Sequence, residues 1–482
     1  MINKKVIVNI LGYLLMIEAA FMFLSMGVAF IYGEGDAMGF LFSGLITLAA
    51  GASLYLGTPR TEKQIGKRDG YIIVSLVWVI FSLFGCIPYL WTGSISNFTD
   101  AFFETISGFT TTGSSILNDI ESLPHGILFW RSITQWMGGM GIIVLTIAIL
   151  PVLGIGGMQL FAAEVPGPTP DKLHPKIRET AKRLWAIYTF YTGLEALLLW
   201  IGGMPIFDAI CHSFTTMATG GYSTKQDSIA HWDSPFIHYV IIFFMILAGM
   251  NFTLSYFGIH LRFKKVFRNE ELRWYIGFII LFAFIVMLVL NLHQDLETEA
   301  SIRNALFQVV SIMTTTGYVT ADYLSWIPFL GYIILLLMFI GGSTGSTGGS
   351  IKIMRIVMVI KNSYYEMKRL IHPQAIIPVR YNGHAVSSQI LSNILAFISI
   401  YILTFAVSVI IMSTMVPNMD TAMGSVATTL GNVGPGLGSV GPMHNFYHMP
   451  TFGKWYLSFL MLIGRLELFT VLILFTPSFW KN

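Results

Sequence analysis

The sequence predicts an all-α polytopic membrane protein: ten transmembrane helices, of which an N-terminal pair precedes four pseudo-repeated units of helix, short re-entrant helix, loop and helix. Three observations predict it: the composition, the spacing of the apolar runs, and the similarity of the chain to itself. Of 482 residues, 54% are hydrophobic and 11% charged. A soluble domain carries roughly 25% charge. That shortage excludes a soluble globular enzyme, a disordered chain and a nucleic-acid binder. The formal net charge of +3 suggests no polyanion partner. Cys86 and Cys211 lie in apolar runs and read as small buried hydrophobes rather than a disulfide framework.

A spanning helix needs about 20 mostly apolar residues. Such runs fall at 6–32, 37–57, 71–92, 129–152, 184–204, 235–261, 274–292, 326–360 (long and broken), 387–415 and 455–476. The first follows Met1-Ile2-Asn3-Lys4-Lys5, the start of a signal peptide in form. Its apolar stretch is too long for one and no small-residue cleavage site follows, so it reads as a retained helix. These runs give an N-terminal pair at 1–66 and four units at 67–165, 166–268, 269–380 and 381–482.

Lys and Arg set the orientation. With both termini cytoplasmic, 23 of 28 bases fall inside, chiefly in 60–68, 172–183, 262–273 and 352–380. Lys225, Arg303 and Lys454 stay outside, and Arg131 and Arg465 lie within helices. Fourteen of 25 acids fall outside. Two readings stand for them: an acidic mouth that concentrates cations, or ordinary solvated loops.

The repeat appears when the chain is aligned with itself. Asp100 to Ser107 leads to Thr110-Thr111-Thr112-Gly113; Asp208 to Thr215 leads to Ala218-Thr219-Gly220-Gly221; Asn304 to Ser311 leads to Thr314-Thr315-Thr316-Gly317. These superpose without gaps at offsets of 108 and 204. Asp420 to Ser425, leading to Asn432-Val433-Gly434, needs one extra residue. Each segment is a helix too short to span, then small polar residues ending in glycine. Irregular backbone at membrane depth is tolerated only where it is buried in protein or lines a cavity. Four such segments predict a ring, with helix carbonyl ends favouring a cation. Its candidate lining is Thr111, Thr112, Gly113, Thr219, Gly220, Gly221, Thr315, Thr316, Gly317, Asn432, Val433 and Gly434. Glycine permits the backbone conformations that carbonyl lining requires. Packing through small residues is the competing reading, but it leaves the threonine runs unexplained.

The run Gly341-Gly342-Ser343-Thr344-Gly345-Ser346-Thr347-Gly348-Gly349-Ser350 lies inside a span and cannot continue a rigid helix. A phosphate loop would end in Gly-Lys-Ser/Thr; here Lys352 follows Ile351. A glycine hinge remains open beside a mobile segment in a polar cavity. Arg465, mid-span, should face water or a partner: the pore, or an ion pair with Glu18, Glu195 or a backbone carbonyl. Arg131 and Gln135, one turn apart, read as scaffold. The histidines show no metal-ligand spacing, and no nucleophile–base arrangement stands out, so the chain reads as no enzyme and as holding no cofactor.

The four units, with Arg131 and 135–141, the run 341–352 and Gly464-Arg465-Leu466-Glu467, resemble the Trk/Ktr/HKT potassium transporter superfamily, most closely its TrkH-type membrane subunit, over nearly the whole chain. The resemblance implies a bacterial inner-membrane potassium pore. Glycine at 113, 221, 317 and 434 would select potassium (and rubidium) over sodium. Gly341 to Gly349 would be an intramembrane gate, with Arg465 opposing cation flow. It also implies a homodimer and a cytosolic TrkA-type ring binding NAD(H) or ATP/ADP, docked on the basic inner loops. Potassium would be cargo, not cofactor. The alternative is an ion-coupled secondary cation symporter using the same ring; that class expects inverted repeats, whereas these four units enter in one direction.

Overall fold

The structure is a computed structural model; it describes residues 2–58, 66–144, 177–294, 297–375 and 377–481. Helix α1, Lys4–Tyr32, starts where the Asn3 side chain accepts from the Val6 amide and stops at Gly33, whose φ of 68° is left-handed. It turns back into α2, Ala37–Leu56. The two approach closely because both present glycine: a Cβ on Gly12 would lie 2.7 Å from the Gly51 carbonyl oxygen. Small residues at such a crossing replace the hydrophobic drive that lipid removes. Outward, α2 exposes Phe42, Leu45 and Ile46, as a lipid-facing stripe would.

Among the described residues six helices are long and apolar enough to span: Lys4–Tyr32, Ala37–Leu56, Arg68–Thr92, Lys182–Ile201, Glu270–His293 and Ser388–Ser413. Two bent pairs raise the number to eight: Pro235–Gly249 with Phe252–Ile259, bent by 113°, and Thr451–Arg465 with Phe469–Phe475, bent by 111°. Ten spans were expected. His125–Val144 does not count among the eight; it carries Arg131 and Gln135, and the rest of its expected span lies outside the described residues. The stretch 326–360 is no single helix either. Helix Pro328–Phe339 ends, a loop follows, and the amphipathic helix Ile353–Ile371 begins. The expected unit boundary at 165/166, and the basic positions Arg60, Lys63, Lys172 and Lys176, also lie outside the described residues.

Between these spans sit four shorter helices: Phe98–Phe109, Ile206–Met217, Thr298–Met313 and Met419–Gly431. Each is buried over its C-terminal half, and two large apolar clusters enclose them. The N-terminal pair is tied to the first unit at one end: His125 stacks on Tyr32 with ring centroids 3.9 Å apart, and Glu34 accepts from the His125 amide (2.6 Å) and faces its Nδ1 (2.7 Å). Beside it the Asp36 carboxyl, held above its ordinary range by burial, faces Gly126. Acids at a helix start oppose the macrodipole's positive end. One departure from all-α is a two-residue ladder, Arg380–Tyr381 with His384–Ala385. Its turn, Asn382-Gly383, has φ of 48° and 83°, the double left-handed geometry that favours Asn-Gly.

Gly51→Leu should drive a branched side chain into the α1 backbone and cost about 1–3 kcal/mol. Thermal unfolding in detergent should show a lower midpoint than wild type, with Gly51→Ala in between.

Candidate functional site

The four short helices end alike. The residue after the helix, or one beyond it, turns left-handed: Thr111 (φ 52°), Thr219 (54°), Thr315 (59°) and Asn432 (53°). Two residues on, Gly113, Gly221, Gly317 and Gly434 do so again, with φ of 82°, 74°, 81° and 106°. A β-branched residue at positive φ is a true outlier, costing about 1–3 kcal/mol and persisting where surrounding structure holds it. Here the same strain recurs at the same offsets. It is held by amides turned back onto the helix: Thr112 N to Ser107 O (2.9 Å), Gly220 N to Thr215 O (2.8 Å), Thr316 N to Ser311 O (2.9 Å) and Val433 N to Thr428 O (2.9 Å).

The glycines place these four endings in a ring. A Cβ on Gly113 would collide with the Gly220 carbonyl oxygen, one on Gly221 with that of Thr316, and one on Gly317 with that of Val433. One on Gly434 would lie 3.0 Å from the Thr112 carbonyl oxygen. The order runs first unit to second, to third, to fourth, and back to the first. Both φ and space therefore require glycine at these positions. The twelve candidate lining residues are thus brought together; ten are buried, and Gly113 and Gly221 are partly exposed.

Side chains brace the ring in the opposite sense, each reaching to the unit before. Ser114 Oγ donates to Gly434 O (3.0 Å), Tyr222 Oη to Glu104 O (2.7 Å), and Tyr318 Oη to His212 O (3.0 Å). Positions 104, 212 and 308 share the repeat offsets and one role, tying each outgoing loop to its own short helix. Glu104 accepts from the Ile116 amide (2.9 Å) and Ser115 Oγ (3.0 Å). His212 Nε2 meets Ser223 Oγ at 3.0 Å. Gln308, in the amide orientation that satisfies both ends, accepts from Thr320 N at 2.9 Å. The alignment had put these three polar residues in register, and that was the available signal for them.

Arg131 and Gln135 serve the first two units. Arg131 is 1% exposed; its Nε donates to Glu104 (2.9 Å) and its Nη1 to Ser223 O (3.0 Å). Gln135 Nε2 donates to Gly220 O (2.8 Å), and its Oε1 accepts from Tyr222 N (3.1 Å). A Cβ on Gly220 would strike this amide, which explains why the second unit has glycine where the first and third have threonine.

On one side of the ring an open pocket of ≈ 590 Å³, open solvent included, is lined by Gly113, Gly221, Gly434, Arg131, Lys225 and His444 among others, with no carboxylate in its lining. The acidic reading of the mouth does not describe it. Four acids of the outer segments have partners, Glu104 with Arg131, Glu121 with Lys225 (3.7 Å), Asp100 with Lys454 (2.6 Å) and Asp208 with Thr224 (2.6 Å), whereas Asp119 and Asp227, beside lining residues, are exposed.

On the opposite side lies the loop 341–350, buried except at Gly345. Its neck is closed by Gly341 N to Ile351 O (2.9 Å), Ser350 Oγ to Met338 O (2.7 Å) and Ile353 N to Gly342 O (3.2 Å). Its body bonds to the break between Gly249 and Phe252, through Ser343 N to Gly249 O (2.8 Å), and to Glu271, through Thr344 N (2.6 Å). Against the ring, Gly349 N donates to Thr315 Oγ1 (2.8 Å), and Thr347 Oγ1 to Met217 O (3.1 Å) and Ala248 O (3.3 Å). Arg465 joins the loop to the first unit, donating to Thr347 O (2.6 Å) and Gly138 O (3.0 Å). Of the partners weighed for Arg465, backbone carbonyls are the ones it takes. Glu467 pairs with Arg355 instead. Glu18 and Glu195 are buried without hydrogen-bond partners among the described residues. No cluster of His, Cys, Asp or Glu fit for a metal ion occurs among the described residues.

The TrkH family of cation transport proteins matches residues 37–482. A "Trk system potassium uptake protein TrkH" of Salmonella typhimurium is 44% identical over 483 residues, covering 99% of each chain. The Escherichia coli K12 protein of that name is 43% identical with the same coverage. The crystal structure of the potassium transporter TrkH from Vibrio parahaemolyticus superposes with a TM-score of 0.90 at 37% identity, covering 100% of both chains.

Arg131→Met leaves Glu104 buried and unpaired, which should cost about 3–5 kcal/mol. Paired substitution of Glu104 by Leu in the same chain should recover part of the loss in a thermal melt. Additive losses would show that the two residues act independently.

Proposed function

The chain belongs to the TrkH family of cation transport proteins, and we propose that it carries potassium across the bacterial inner membrane through a pore along the four-unit ring. The observation that carries this reading is the closed cycle in which each ring glycine abuts a carbonyl of the next unit. Backbone oxygens at that level, with the carbonyl ends of four short helices, replace the water of a monovalent cation. Thr111 to Gly113, Thr219 to Gly221, Thr315 to Gly317 and Asn432 to Gly434 act as the selectivity filter, for potassium and rubidium over sodium.

The side bearing the 590 Å³ pocket is taken as outside, in keeping with the excess of bases at the other face. An inside-negative potential then drives entry with about 2.3 kcal/mol per charge per 100 mV. Gly341 to Gly349 is the gate: the loop stands beneath the ring, hydrogen-bonded to the second and third units and to Arg465 of the fourth, which in turn bonds to the first. Arg465 adds a fixed positive charge in the cation's way. A nucleotide-binding cytosolic ring of TrkA type, docking on the basic surface around 262–273 and 361–380, moves the loop, and the chain works as a homodimer. Glu271 is well placed to relay that motion, since it holds Thr344 N and faces Tyr381 Oη (3.3 Å) in the hairpin beyond the gate helix.

Gly113→Ser puts side-chain atoms against the Gly220 carbonyl. Proteoliposomes carrying it should take up sodium that wild type excludes, in a paired rubidium and sodium assay; an unchanged ratio would sink the filter assignment. Arg465→Ala removes the charge-assisted hydrogen bonds that tie the closed loop, at Thr347 O, to Gly138 O of the first unit, and should raise unstimulated rubidium flux several-fold. A fall in that flux, in protein of normal melting temperature, would point to a purely structural arginine.

A further inference from the structure

The base of the ring holds more oxygen than donors. Thr111 Oγ1 and Asn432 Oδ1 are buried and have no hydrogen-bond partner among the described residues. Both belong to the first left-handed position of their unit. Asn432 is fixed by its amide, which donates to Thr112 Oγ1 (2.8 Å) and Met461 O (2.9 Å). That leaves its oxygen toward Gly349, whose Cβ position lies 3.1 Å away. The equivalent Thr315 Oγ1 takes its donor from the loop, the Gly349 amide. Met217 O, at the carbonyl end of the second short helix, takes the Thr347 hydroxyl. The closed loop therefore presents two hydrogen-bond donors to a half-circle of oxygens that otherwise suits a weakly hydrated cation.

We propose that the loop 341–350 and a potassium ion compete for one site at the inner end of the ring, formed by Thr111 Oγ1, Thr315 Oγ1, Asn432 Oδ1 and Met217 O. This rests on the pore reading and adds regulation to it. With the loop in place, the Gly349 amide and Thr347 hydroxyl stand in for the ion. When the loop withdraws, those oxygens are free to bind potassium from the cytosolic side. A ligand that binds only one of two states shifts the equilibrium toward that state, so inner potassium holds the gate open, and the gate's state sets the occupancy of the innermost site. The linkage is reciprocal. Thr219 is the exception at this level, since its hydroxyl donates to Ala218 O (2.6 Å).

The test is bilayer recording of the full-length protein at fixed voltage, with inner potassium exchanged for N-methylglucamine at constant ionic strength. Open fraction should rise with inner potassium and saturate. Thr347→Val removes a loop donor and leaves every ring oxygen in place. It should raise the open fraction at low potassium about two- to tenfold, the worth of a typical hydrogen bond. It should also lower the potassium needed for half-maximal opening, with the potassium-to-sodium permeability ratio unchanged. Thr315→Val, which removes an oxygen from the site, should raise basal opening but flatten its dependence on potassium. Potassium currents whose open fraction ignores inner potassium overturn the competition and leave the pore intact. So does a normally folded Thr347→Val protein that gates as wild type. An absence of potassium current under all conditions overturns the pore reading, and this inference with it.

Discussion

Backbone that stops being helical at membrane depth must find every hydrogen-bond partner within the protein. Four short helices end there in this chain, and everything around them follows from that requirement. Each ending turns its amides back onto its own helix, at the cost of a threonine or asparagine at positive φ. The carbonyls that remain lie against the glycine of the neighbouring unit. Ser114, Tyr222 and Tyr318 then lock successive units by reaching to the unit before. No single unit satisfies these needs alone, so the ring is the smallest self-consistent structure.

A ring made from one chain need not be symmetric, and here the departures have local causes. Gln135 fills the space behind the second unit, so Gly220 replaces a threonine. Arg131 needs a buried carboxylate and finds it in Glu104; an isolated intramembrane arginine costs at least about 2.5–3.5 kcal/mol. The positions equivalent to Glu104 in the next two units, His212 and Gln308, have no arginine to neutralise and are uncharged or amide groups that make the same tie. In the fourth unit Pro435 stands where a tyrosine would brace the ring, and Asn432 supplies the cross-link to Thr112 instead.

Much of this was legible in the sequence. The glycines and threonines at offsets of 108 and 204 announce the ring, since recurrence of a costly residue pattern is hard to obtain otherwise. Length and apolarity mark the six long helices. They fail for His125–Val144 and for 326–360, where polar residues and a loop are stabilised by tertiary partners that no window of hydropathy registers. The acids of the expected outer loops were countable but their partners were not. Glu104, Asp100 and Glu121 meet bases distant in sequence, so a simple count overstates the acidic character of the mouth. Arg465 showed the same limit: the cost of its burial was evident, while the carbonyls that receive it, Thr347 O and Gly138 O, lie 118 and 327 residues earlier.

The loop is an excursion out of helix rather than a hinge within one. A hinge flexes within a helix that continues on both sides, and its glycines need no particular partners. Here the chain leaves helix at Phe339 and re-enters at Ile353, and the two ends are joined by their own hydrogen bonds. The thirteen residues between form a closed excursion whose neck bonds to itself while its body bonds elsewhere. Serine and threonine hydroxyls and free glycine amides give that body donors, and the ring above it offers acceptors. Larger or apolar side chains would fill the space but leave carbonyl ends and hydroxyl oxygens unsatisfied in a low-dielectric interior, at roughly 1–3 kcal/mol for each. The Gly-Ser-Thr run is therefore fitted to a surface of oxygens, which is the same surface that a dehydrating cation requires.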